Sequence, residues 1–192
     1  HSKGVLILAG YLYQKYAQHA PLTLTARVVF EQSYSPIEGD SASSAELYAL
    51  LSALANVPIK QGIAVTGSIN QRGEIQPIGG VNEKIEGYFR VCKRLGLHGE
   101  QSVLIPESNK HHLVLDDELI EAVRQKKFHI YTAKTVDEGI ELLTGMPAGV
   151  PDEKGLYPAH TIHHLVQKRL QEFSEAVRRF SKKKPDHPPN AP

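Results

Sequence analysis

A single cysteine, Cys92, leaves this chain nothing with which to form an internal disulfide and is compatible with a reducing compartment. Neither sign of charge dominates. The 22 Lys and Arg stand against 21 Asp and Glu, a net charge of +1, so there is no electrostatic case for binding nucleic acid or an anionic membrane. No apolar run approaches the roughly 18 residues that suggest a membrane span. The apolar start HSKGVLILAGYL lacks the small-residue cleavage site of a secretory signal. Three catalytic signatures are also missing: the GxxxxGK[ST] phosphate loop, HExxH and GxSxG. The first absence excludes ATP hydrolysis by a phosphate-loop mechanism, and the others argue against a zincin and a conventional Ser-His-Asp hydrolase. Of the ten histidines, His160, His163 and His164 fall near one predicted helix and His111-His112 form a pair, but no carboxylate is placed with either group. They read as surface histidines, and no metal site is assigned.

With 192 residues, 41% of them hydrophobic and 22% charged, the chain has the length and composition of one compact domain with an extension. Apolar positions at helical spacing predict a helix from residue 4 to about 18, with Tyr11, Tyr13 and Tyr16 as packing residues, ended by Pro21. Leu22 to Phe30 then alternate as a strand does. A polar turn at 33–40 leads into ASSAELYALLSALA, a predicted helix with Ser43 and Glu46 as a capping box, closed by Pro58. GIAVTGSI at 62–69 reads as a strand before a turn at Gly73, and Gly79-Gly80 make a tight entry to the helix VNEKIEGYFRVCKRL. Further strands are predicted at 102–105 and 128–132, with helices at 116–126 and 135–143.

Strands alternating with helices give an α/β (α+β) class, a two-layer or mixed architecture with helices packed on the sheet. The predicted organisation is a domain at 1–148, a linker and amphipathic C-terminal helix at 149–182, and a disordered tail at 183–192. The C-terminal helix must fold back on the domain or meet a partner. The start inside a helical pattern is expected of a fragment of a longer polypeptide.

Lys84 shares one face of its helix with Val81, Ile85, Tyr88, Cys92 and Leu95 at about 100° per residue. A lysine directed into a core either loses its proton or finds a partner, which makes Lys84 a candidate general base; the alternative is a stem along the core edge with its ammonium in water. A base needs a nucleophile. Ser41, after Gly39-Asp40 and at the start of a predicted helix, has helix amides to favour developing negative charge, although serine is equally at home as an N-cap.

GDSAS around Ser41, Val65-Thr66-Gly67 and GGVNEK ending at Lys84 together resemble the proteolytic domain of the Lon proteases. Thr66 lies 25 and Lys84 43 positions after Ser41, in the family's order and spacing. The resemblance covers about residues 4 to 146. Gly39-Asp40-Ser41-Ala42-Ser43 is similar to the B-type or Lon-related branch rather than to the Gly-Pro-Ser-Ala-Gly of the A-type. The resemblance implies a Lon-type fold and a serine endopeptidase with a Ser41-Lys84 dyad, Thr66 orienting the lysine. It also implies a hexameric ring acting on unfolded polypeptide in the cytoplasm, and an AAA+ motor upstream that binds ATP, with no cofactor held by this chain itself. A neutral Lys84 amine is required, and a free lysine is neutral in only about one molecule in a thousand near pH 7.4; burial on the helix stripe is the expected source of the neutral form. Glu38 and Asp40 oppose it, since a carboxylate beside Lys84 favours the ammonium, and one of them is expected to pair with Lys84 in a resting state. The competing reading is a latent module of the same fold used for assembly or substrate docking.

Overall fold

The computed structural model describes residues 2–18, 21–31 and 39–182. Most of the predicted turn at 33–40, Glu38 with it, and the predicted tail lie outside the described residues. The elements are α1 (Ser2–Tyr16), α2 (Ser43–Ala55), β1 (Ile63–Val65), β2 (Ser68–Ile69), β3 (Ile75–Gln76), α3 (Val81–Leu95), β4 (Ser102–Pro106), α4 (Asp117–Arg124), β5 (His129–Ala133), α5 (Val136–Thr144) and α6 (Ile162–Lys182). The class is mixed α/β, as the sequence predicts.

A parallel sheet in the order β1-β4-β5 forms the centre, with Val65 opposite Leu104 and Leu104 opposite Tyr131; β2 and β3 form a separate antiparallel hairpin. All five residues of β4 are buried, as expected of a central parallel strand covered on both faces. Its side chains alternate between two cores. Val103 and Ile105 meet α3, α4 and Phe128, while Leu104 joins the larger core of α1, α2, α5 and α6. Helices therefore cover both faces, one layer more than the two-layer form of the expectation.

The C-terminal helix folds back. Ile162, Val166 and Leu170 of α6 pack with Leu47, Leu51, Tyr48 and Tyr16 in the larger core. One close approach there depends on a missing side chain: a Cβ at Gly139 would lie 1.9 Å from the buried Tyr48 hydroxyl. Gly139→Ala is expected to destabilise the chain by about 1–3 kcal/mol through overpacking, read from urea unfolding; an unchanged midpoint would contradict this packing.

Three local expectations differ from the structure. Residues 21–30 carry no regular secondary structure. Leu22 and Leu24 are half-buried against the larger core, but Val28 and Val29 are 46% and 74% exposed, and without a paired strand among the described residues to satisfy its amides and carbonyls the segment has no ladder. The capping box is also absent. α2 starts after Ala42 with no side-chain cap, and Ser43 sits inside the first turn, its Oγ accepting from the Ile69 amide at 3.2 Å. The fifteen residues of α3 bury Val81, Ile85, Phe89 and Cys92, whereas Leu95 is 82% exposed and Lys84 is exposed. The buried arc is thus turned toward Phe89 by roughly half a residue's rotation, leaving Lys84 on its flank. Among the described residues no helix is long and apolar enough to cross a membrane.

Candidate active site

The loop between β1 and β2 holds the start of α2 through backbone bonds. The Gly67 amide donates to the Ser41 carbonyl at 2.8 Å, the Ser44 amide donates to the Gly67 carbonyl at 3.1 Å, and the Thr66 amide donates to Leu104 of the central strand at 3.1 Å. The approach is close at Gly67, where a Cβ would sit 3.1 Å from Ser44 Oγ and 3.3 Å from an Ile75 methyl, tighter than ordinary van der Waals contact. Ser43 completes the clamp through Ile69. Ser41 is thereby fixed to the end of β1 rather than riding on a free loop.

Lys84 approaches from the first turn of α3, which enters from Gly80 at φ 66°. Its Nζ donates to Ser41 Oγ at 2.9 Å and lies 3.4 Å from Thr66 Oγ1, which in turn reaches the Ser41 carbonyl at 3.4 Å. Three residues separated by 25 and 18 positions therefore converge within hydrogen-bond reach. A hydroxyl next to an amine, with a second hydroxyl orienting the amine, is a nucleophile-base pair in geometric terms.

Asp40 does not pair with Lys84. Its carboxylate meets Lys3 of α1 at 2.6 Å, and the Lys3 hydrogen bond, with a smaller one from Ser68, holds its pKa below the usual carboxylate value despite partial burial. Among the described residues no carboxylate forms an ion pair with Lys84. Glu38 lies outside them. Lys84 is exposed in this chain, so the burial expected from the helix stripe is not present here.

A cavity of about 630 Å³ opens at Asp40, the chain neighbour of Ser41; Lys3, Leu6, Ile7, Ser68 and Gln76 are among its other lining residues, and Ser41, Thr66 and Lys84 are not. Its walls are the N-terminal half of α1 and the β2-β3 hairpin. The contacts of Lys3, Ser43 and Gly67 carry no local sequence signal: Gly67 stands in the VTG motif, Ser43 has the type of an N-cap, and nothing in the pattern marks Lys3.

The histidines separate by environment. His111 and His112 are exposed, as is His160. His163 is fully buried, which corrects its reading as a surface residue: Tyr16 Oη lies 2.6 Å from its Nδ1, and its Nε2 lies 2.7 Å from Asp137 Oδ1. Burial lowers its pKa, outweighing the opposing effect of Asp137. A neutral imidazole fits both contacts, with the tyrosine hydroxyl donating to Nδ1 and Nε2–H donating to the carboxylate. Of the three clustered tyrosines, Tyr11 and Tyr16 are core residues and Tyr13 is exposed.

The model of one protein family, described as the Lon protease (S16) C-terminal proteolytic domain, matches residues 24–145, more than half of the chain. The chain belongs to this Lon family. Curated relatives agree. A protein named as a Lon protease homolog in Escherichia coli (strain K12) is 43% identical over 175 residues, 91% of this chain and 29% of the relative. Another so named in Haemophilus influenzae is 40% identical over 181 residues, 93% and 30%. An archaeal Lon protease of Thermococcus kodakarensis is 39% identical over 115 residues, 60% and 16%, in keeping with a B-type Lon motif around Ser41. This Lon domain spans less than a third of the length of these relatives.

Thr66→Val in the Lon domain keeps size and removes the hydroxyl 3.4 Å from Lys84. If Lys84 acts as a base on Ser41, peptide hydrolysis is expected to fall roughly tenfold in kcat with KM little changed, since the change affects only the orientation of the amine. Unaltered kcat would show that Thr66 does not position Lys84.

Proposed function

We propose that this chain is the serine endopeptidase domain of an ATP-dependent Lon-like protease that hydrolyses peptide bonds in unfolded or damaged proteins. The observation that carries the reading is the 2.9 Å contact between Lys84 Nζ and Ser41 Oγ, with Thr66 as the third member. The unprotonated Lys84 amine takes the Ser41 proton as Oγ attacks the peptide carbonyl. The tetrahedral intermediate collapses with loss of the amine product, which receives that proton from Lys84. Water, deprotonated by the same amine, then releases the acyl group and restores the serine. The backbone amides near Asp40 and Ser41, at the start of α2, are the proposed oxyanion donors.

Family membership supports a protease. The assembly proposed with it is a hexameric ring in the cytoplasm, driven by an AAA+ region that binds ATP elsewhere in a longer polypeptide. Because Lys84 is exposed here, substrate bound over Ser41 and a neighbouring subunit would supply the desolvation that favours an uncharged amine. The test is hydrolysis of an unfolded, fluorogenic polypeptide by samples of known oligomeric state. Turnover lost on Ser41→Ala supports the reading, and turnover that survives it sinks it. A latent docking module predicts no turnover in either sample, even when assembled.

A further inference from the structure

A second cavity, of about 640 Å³, lies further along α1, between its C-terminal half, the loop before α6 and α6 itself. Its size is that of a ligand pocket. The dyad does not account for it, yet the two cavities share a wall. Gln71, at the turn of the β2-β3 hairpin, lines both. Gly10 of α1 permits this arrangement, since a Cβ there would lie 2.7 Å from the Gln71 side chain. A polypeptide lying in the cavity at Asp40 thus has a continuation along α1.

Among the described residues the charge of this second cavity is one-sided: Lys15, Arg72 and Lys154 line it, and no described Asp or Glu does, although the chain as a whole is close to neutral. Lys15 is already paired with Asp137 at 3.2 Å. Neither Arg72 nor Lys154 forms an ion pair among the described residues. Of the two loop carboxylates before Lys154, Asp152 accepts from the backbone amides of Lys154 and Leu156 at 2.9 Å, and Glu153 is exposed and forms no ion pair with Lys154. Between the two free cations the wall is apolar and amide-rich: Leu156, 53% exposed, faces it with Leu22, and Gln14 and Gln167 offer neutral donors.

We propose that this cavity is a docking site for an acidic peptide segment carrying an aliphatic or aromatic side chain, contributed by the polypeptide substrate whose chain runs through the adjoining cavity at Asp40, next to Ser41. Arg72 and Lys154 hold the carboxylates and the Leu156 wall takes the apolar side chain. Only the identity of the occupant as substrate rests on the proteolytic reading. The charge complementarity stands without it.

The site is tested on the full chain carrying Ser41→Ala, so that cleavage plays no part. A fluorescein-labelled peptide with two glutamates flanking a leucine is titrated at low salt and followed by anisotropy, beside the same peptide with glutamines and one with lysines. The acidic peptide is expected to bind about tenfold more tightly than the neutral one. That preference is expected to vanish in Arg72→Gln/Lys154→Gln and to weaken with added salt. Equal binding of acidic and neutral peptides overturns the proposal. So does an acidic preference that survives the double variant with its fold intact by circular dichroism. If the double substitution instead dissolves an oligomer seen by light scattering, the cavity is an interface between copies, which also overturns it. In the serine-containing chain, an acidic extension on a cleavable peptide should lower KM with kcat unchanged. Absence of any turnover would count against the Ser41 reading while leaving the binding result intact.

Discussion

Replacing Lys84 with methionine is expected to reduce peptide hydrolysis by about three orders of magnitude, with Lys84→Arg losing nearly as much. A factor of a thousand corresponds to about 4 kcal/mol in the barrier, a size consistent with losing the group that takes the nucleophile's proton. The arginine variant separates two roles of the lysine. Guanidinium keeps the positive charge but holds its proton throughout the accessible pH range, so it can stabilise an oxyanion and cannot act as a base. Because Lys84 is exposed on the flank of α3, both substitutions should leave folding stability within about 0.5 kcal/mol. Thermal melting beside the kinetics checks that the loss is chemical. An arginine variant with a tenth or more of the parent rate would contradict the base role.

The largest expected effect on stability belongs to His163. Leucine at this position fills similar space but leaves Tyr16 Oη without an acceptor and takes one donor from Asp137. A buried hydroxyl without a partner and a weakened carboxylate bond together should cost roughly 2–4 kcal/mol. Lys15 still meets Asp137 at 3.2 Å and limits the damage at that end. Tyr16→Phe removes only the hydroxyl and should cost less, about 1 kcal/mol.

A pH dependence follows from the same residue. His163 has a folded-state pKa below its ordinary value because it is buried, so the unfolded chain binds its proton first as pH falls. Stability from His163 is therefore complete above the unfolded value near 6.5 and declines below it until the folded imidazole also titrates. The slope contributed approaches about 1.4 kcal/mol per pH unit. Urea unfolding at pH 7.5, 6.5 and 5.5 should show a decline that His163→Leu reduces, the other histidines being common to both chains. Parallel decline in the two would mean that His163 does not carry it. Asp137 acts at lower pH. Burial raises its pKa, but the His163 and Lys15 contacts prevail and leave it below the ordinary value, so its contribution disappears only as pH falls through the carboxylate range.

The site was more legible in the sequence than its surroundings. Three short motifs single out Ser41, Thr66 and Lys84, and the structure brings those three side chains within hydrogen-bond reach, because the strand-turn-helix path between them fixes their spacing. The helix carrying Lys84 was legible in its extent but not in its phase. Apolar periodicity alone admits an arc through Leu95, and only contact with Phe128 and the sheet turns the buried face toward Phe89. Capping chemistry misled at α2 for a related reason. Ser43 has the type of an N-cap, but the hairpin offers its hydroxyl the Ile69 amide instead. The alternation at 22–30 marks a segment suited to a sheet and says nothing about whether a strand lies beside it. His163 and Lys3 were hidden because their roles come from partners 26 and 37 positions away, Asp137 and Asp40, that local pattern does not connect.

Covalent trapping tests the central claim most directly. The chain, with its oligomeric state measured, is treated with a serine-directed peptidyl phosphonate, and the adduct is located by intact mass and peptide mapping. A nucleophile activated by Lys84 predicts one adduct, on Ser41, forming more slowly in Thr66→Val and lost in Lys84→Met. Labelling of Ser41 at an undiminished rate in Lys84→Met, or an adduct on another serine, would contradict it.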